Sequence, residues 1–329
     1  MTPEPLSTLL DGAEFRTAVA FGFAGLVAGM GVAVAWRAAR RRGTPPVVGI
    51  LVVTAGALAV REPVAPAPGR LLDDPSLPGG LVVAFGVLVV AGMVADLARW
   101  PVGAGALLAL PGAFLLATRA EIVEVTWIRV AAGAATLAGG WMVASFDRRW
   151  EGQGVAPAML ALSAVGVYFT VPDTEEAMVL LGVSAPIALL GWPLCLARIG
   201  TGGSFAVMGL LSWTVAEGGY GRHSSIVGGL ACVGLFAVEP LVGLAARVDG
   251  WRRSRSPLVP LGVMAVHLAL VFVASRVAGL RLTVPAALAI VGAELVVATG
   301  VLAGLSRALR APTEGSLGTQ GAVATERQA

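Results

Sequence analysis

The chain has 329 residues, 57% of them hydrophobic and only 13% charged, with 23 Arg, no Lys, 20 acidic residues and a formal net charge of +3. Soluble globular proteins average about 45–50% apolar and about 25% charged residues, so a mean hydropathy of +0.83 excludes an ordinary water-solvated surface. The Arg residues cluster at the ends of apolar runs and not along one basic face, so no nucleic-acid partner is expected. A phosphate-binding G-x-x-x-x-G-K-[ST] loop is impossible without Lys.

A membrane-crossing helix needs about 20 mostly apolar residues. Eleven candidates follow one another along the chain: 17–36, 46–60, 79–97, 101–118, 127–146, 155–171, 177–197, 204–217, 225–246, 257–275 and 283–306. The second and eighth are short and need their flanks to cross. The first is preceded by acidic residues and followed by "RAARRR" (37–42), so it reads as an anchor and not a cleaved signal peptide. The seventh carries Pro186 and Pro193, which predict two breaks, and Pro240 predicts another in the ninth. The expected fold is all-α and polytopic, arranged as five helical hairpins plus a closing helix. One transmembrane domain would span residues 1–310, with a small polar, disordered tail at 311–329.

Arg sets the orientation. With the N-terminus extracytoplasmic and the C-terminus cytoplasmic, 15 Arg fall in inner loops and 8 outside, while acids divide as 6 inside and 12 outside. The inner loops are "RAARRR", "DLARW" (96–100), "DRRW" (147–150), "ARIG" (197–200), "RVDGWRRSR" (247–255) and "SRALR" (306–310). Trp36, Trp100, Trp150, Trp192 and Trp251 are expected at the inner headgroup level. Trp127, Trp213, Tyr168 and Tyr220 are expected at the outer one. The chain is therefore expected in the cell membrane, with lipids as its first partner.

Three ionisable groups lie inside apolar runs: Glu239, His267 and Glu294, one on each of the last three spans. Glu239 sits about 12 Å from the inner boundary at 1.5 Å per residue, with Pro240 directly behind it. A charge at mid-bilayer costs about 2.5–3.5 kcal/mol, so such groups face a protein interior or a wet cavity. One reading makes them a proton- or cation-coupling site; the other makes them interhelical hydrogen bonds. A second set lies at the outer face: Asp73 and Asp74 in the longest loop, Asp173 and Glu175 in "PDTEE", and Glu217. They are either solvated helix ends or an acidic vestibule.

Cys195 and Cys232 sit in apolar runs, spaced for neither a disulfide framework nor a metal site. No cofactor and no metal are expected. The leading functional expectation is a secondary transporter or permease for a small solute or ion, proton- or cation-coupled. Two others stay open: a non-catalytic membrane subunit packed against protein partners, and an enzyme acting on a lipid-linked substrate at the outer face.

Overall fold

The computed structural model describes residues 13–39, 79–119, 126–150, 153–171, 184, 186, 188–192, 194–196, 198–219, 222–238, 258–280 and 282–308. Among them the fold is all-helical, with no strand. The helices are α1 (Ala13–Ala38), α2 (Gly79–Leu97), α3 (Val102–Arg119), α4 (Thr126–Arg149), α5 (Val155–Thr170), α6 (Gly200–Gly218), α7 (His223–Ala231), α8 (Leu258–Gly279) and α9 (Val284–Ala308). The short eighth candidate does extend, gaining its first turn at Gly200. The span expected at 46–60 and the tail at 311–329 lie outside the described residues.

The helices form two interlocking groups. In the first, α2, α3, α4 and α6 pack together; in the second, α8 packs against α5, α7 and α9. Helix α6 joins them, since it also touches α5 and α7. Every residue from Ile199 to Ala216 is buried, so α6 is an axis with neighbours all round. Its sequence, GTGGSFAVMGLLSWTVAEG, explains how this is possible. Small residues let neighbouring backbones approach closely, and aromatic residues fill what remains. The closest approach is between α2 and α6, where a Cβ on Gly92 would fall on the backbone of Gly202. On α4, Gly139 and Gly140 leave room for Met208 and Phe205.

The outside of the bundle is apolar. Phe23, Val27 and Val34 on α1, Val83 and Val90 on α2, Leu107 and Phe114 on α3, and Val296 and Val297 on α9 are all more than half exposed. The inside holds polar groups: Thr136, Ser204 and Thr214 are buried, and each donates to the carbonyl four residues back. That is how a hydroxyl is satisfied where water is absent. Two helices, Pro260–Gly279 and Val284–Gly304, are long and apolar enough to cross a membrane by length and composition alone. Only 39% and 22% of their apolar windows are buried. Shorter apolar stretches occur at Gly22–Ala38, Val83–Leu97, Val102–Thr118 and Val155–Thr170.

One local expectation changes. Pro186 is itself helical, as are Ser184 and residues 188–191, so it does not end a helix. The stop comes just before Pro193. There Cys195 adopts the left-handed conformation, φ 49°, and its N–H donates to Gly191 O, an αL cap. The ninth span breaks at Cys232–Val233, between α7 and the helical residues 234–238, seven residues before Pro240, which lies outside the described residues. Trp213 is 1% exposed and Trp150 2%, both packed in the core, whereas Trp100 and Trp127 are exposed.

Candidate functional site

The break at Cys232–Val233 has a traceable cause. The Cys232 N–H is shared between Gly228 O and Gly229 O, and the Val233 N–H turns to Leu230 O, three residues back. The Phe236 N–H then bonds Val233 O and not Cys232 O. This 3₁₀-like tightening leaves the Cys232 carbonyl without its helical partner. Ser163 on α5 supplies one, donating from Oγ to Cys232 O at 2.7 Å. Glycines at 228 and 234 let α8 and α9 close on it. A Cβ on Gly228 would meet the backbone of Ala274, and one on Gly234 the side chain of Leu295.

His267 on α8 completes the cluster. Its ring is 1% exposed, and Nε2 lies 2.9 Å from both Ser163 Oγ and Met159 O. A carbonyl oxygen only accepts, so Nε2 carries the hydrogen. The Ser163 hydroxyl hydrogen goes to Cys232 O, which leaves its oxygen free to accept from His267. Neutral His267 then presents a bare lone pair at Nδ1, and that atom is buried without a hydrogen-bond partner. The Phe236 ring stands edge-on to the imidazole, with centroids 5.8 Å apart.

Glu294 lies on the packed stripe of α9, in register with the buried residues Ala287, Val291, Ala298 and Leu302. Its Oε2 is buried and unbonded, and its carboxyl is within electrostatic reach of the Cys232 thiol. The broken segment therefore has His267 on one side and Glu294 near the other. Glu239, the third group of the expected coupling site, lies outside the described residues, as do Asp73, Asp74, Asp173 and Glu175. Glu217 occupies the last turn of α6. No three His, Cys, Asp or Glu residues come together in a metal-binding arrangement among the described residues.

A second polar cluster escaped the reading of the sequence. Three loops expected on the inner side meet at one end of the bundle, around the N-terminus of α6. Asp147, at the end of α4, accepts the Ile199 N–H at 3.2 Å on Oδ1 and the Gly200 N–H at 2.9 Å on Oδ2. Asp96, at the end of α2, accepts the Thr201 N–H on Oδ2 and the Thr201 hydroxyl on Oδ1, both at 2.7 Å. Two carboxylates from two different hairpins thus hold three successive N–H groups at the positive end of one helix. Gly200 has φ 72°, a conformation in which a Cβ would be strained. Arg148 ties the cluster to the α2–α3 loop, donating to Asp96 Oδ1 at 3.2 Å, Thr201 Oγ at 3.2 Å and Trp100 O at 2.8 Å. Arg198 approaches Asp96 Oδ1 to 4.0 Å. Burial raises the Asp147 carboxyl from an ordinary 3.8 to about 6, against the lowering effect of the Gly200 N–H, Arg198 and the Ile199 N–H.

No protein-family model and no curated protein sequence matches this chain. The functional reading therefore rests on the two clusters and on the distribution of apolar surface.

The two roles of the His267 ring can be separated by substitution. Gln reaches the Nε2 position and can still donate to Met159 O and Ser163. His267→Gln is expected to fold with less than about 1 kcal/mol of loss. His267→Leu removes the donor shared by Met159 O and Ser163 Oγ, of which the carbonyl keeps the Ser163 hydroxyl and the hydroxyl keeps Cys232 O, and is expected to cost about 1–3 kcal/mol. Thermal unfolding in detergent distinguishes them; equal losses would mean that the Nε2 bonds contribute nothing.

Proposed function

We propose that the chain is a multi-pass membrane protein, N-terminus outside and C-terminus in the cytoplasm, working as a secondary transporter or permease. The membrane reading is supported by the large apolar side chains outside the bundle and by the buried hydroxyls, His267 and Asp147 within its mostly apolar core. It is supported again by the meeting of three Arg-bearing loops at one end of the bundle, as alternating spans require.

The transporter reading rests on the broken helix at Cys232–Val233. A discontinuous helix whose freed carbonyl is met by side chains of neighbouring helices is the arrangement that transporters use at mid-membrane binding sites. Here it comes with a bare imidazole nitrogen and a buried carboxyl oxygen on the two adjoining helices, α8 and α9. In this reading a small solute or ion binds beside residues 232–236, with His267 Nδ1 accepting a hydrogen bond from it and Glu294 supplying or balancing charge.

The experiment uses the native thiols. The chain has two cysteines, and Cys232 sits in the break. In a Cys195→Ser background, a small charged methanethiosulfonate added to one side of sealed vesicles is expected to modify Cys232. A wet path to the break is required for that. No modification from either side would favour the packing subunit. Orientation is read from cysteine-free protein carrying single cysteines at Arg99 and Ser275, which should label from opposite sides, Arg99→Cys from within.

A further inference from the structure

The Asp147 cluster is distinct from the broken-helix site and stands whether or not the chain transports anything. We infer that Asp147 is a proton-binding site, and that its protonation state decides how firmly the N-terminus of α6 is latched to α2 and α4.

The geometry has three parts. First, the latch acts on the central helix: α6 touches α2, α3, α4, α5 and α7, so movement of its inner end is felt across the bundle. Second, the two carboxylates are held differently. Asp96 accepts from Thr201 and Arg148 and has Arg198 beside it, which keeps its charge balanced. Asp147 is 3% exposed and is held through backbone N–H groups. Third, the ionisable groups acting on Asp147 are few. Arg198 attracts its charge and Asp96 repels it. Arg148 is the next residue on its own helix. The nearest turns of α3 and α5, residues 102–106 and 155–159, contribute no ionisable side chain.

A carboxylate in that position loses more by leaving water than it recovers from two amides and one guanidinium. Its proton affinity in the latched state is therefore higher than in water, about 6 against 3.8. The sign follows from linkage. The latched state binds more protons than an open state with Asp147 in water, so acid favours the latch. As pH rises from about 4 through 6, the proton is lost and the latch weakens by up to about 100-fold in its opening equilibrium. The proton leaves from the carboxyl oxygen to water at the inner end and returns by the same route, with no other bond made or broken.

Hydrogen exchange at the latched amides tests this on the full chain in lipid nanodiscs. The peptide covering residues 198–203 is followed between pH 4.5 and 7.5, with each rate corrected for intrinsic exchange. The corrected opening is expected to rise with pH in the unaltered protein and to be flat in Asp147→Asn. Arg198→Gln, which removes the attracting charge, should move the transition to higher pH. Asp96→Asn should raise opening at every pH and, by removing the repelling charge, move the transition to lower pH. A flat profile in the unaltered protein overturns the inference. So does a transition that survives Asp147→Asn, or one that Arg198→Gln leaves in place. The unaltered profile and Arg198→Gln decide the matter even if Asp147→Asn fails to fold.

Discussion

Replacing Gly92 with Val is expected to abolish the folded bundle, while Gly86→Ala, less than two turns earlier on the same helix, is expected to be silent. The difference lies wholly in what faces each residue. A Cβ at Gly86 meets nothing within 4 Å. One at Gly92 falls on the Gly202 backbone, and one at Gly202 meets the carbonyl of Val89 at 2.6 Å. A flexible side chain can swing away from an added methyl; a backbone in the central helix cannot. Overpacking by one or two methyl groups typically costs about 1–3 kcal/mol. Here relief requires α2 and α6 to separate, which also pulls Asp96 from Thr201. Gly92→Ala should therefore lower the yield of monodisperse protein and its unfolding temperature, and Gly92→Val should leave none to measure. If Gly92→Val behaves like Gly86→Ala, the crossing of α2 and α6 is wrong.

The second large effect is expected from Asp96→Ala. The carboxyl is 2% exposed and serves the Thr201 N–H, the Thr201 hydroxyl and Arg148 together. Removing one member of a buried ion pair costs about 3–5 kcal/mol, because the other charge is left behind. Arg148 is 29% exposed and can turn toward water, so a value near the lower end, about 3 kcal/mol, is expected. Asp96→Asn keeps an acceptor for the Thr201 N–H and should recover part of the loss. Denaturation in mixed micelles gives the comparison. An Asp96→Ala protein as stable as Asp96→Asn would mean that the cap contributes nothing.

Helix positions were largely legible because apolar length is local information. The candidates at 79–97, 101–118, 127–146 and 155–171 lie within three residues of α2–α5 at every boundary. What failed needed information from distant residues. Asp96 and Asp147 looked like solvated loop charges because each stands at the end of an apolar run. Only the meeting of three loops, about 50 residues apart in sequence, buries them. One signal was available: both are followed closely by Arg and Trp, in "DLARW" and "DRRW". Ser163 was missed for the same reason, since its partner His267 lies 104 residues away. The helix break was sought at prolines because Pro removes a donor. The break at Cys232–Val233, where no proline stands, had no such signal, while Pro186 stayed within a helix, as neighbouring helices permit.

The enclosure of α6 also constrains the order in which the molecule can be built. Synthesis runs from the N-terminus, so α2, α3 and α4 leave the ribosome before residue 200 exists. Until then, the cleft that will hold α6 stands open, lined by Gly92, Gly139 and Gly140 and capped by two aspartates with no amides to hold. That cleft closes only when α6 enters it, and α7, α8 and α9 can then pack behind. A nascent chain stalled before Gly200 would present the same cleft indefinitely, which makes it the natural point at which quality control distinguishes an unfinished molecule from a finished one.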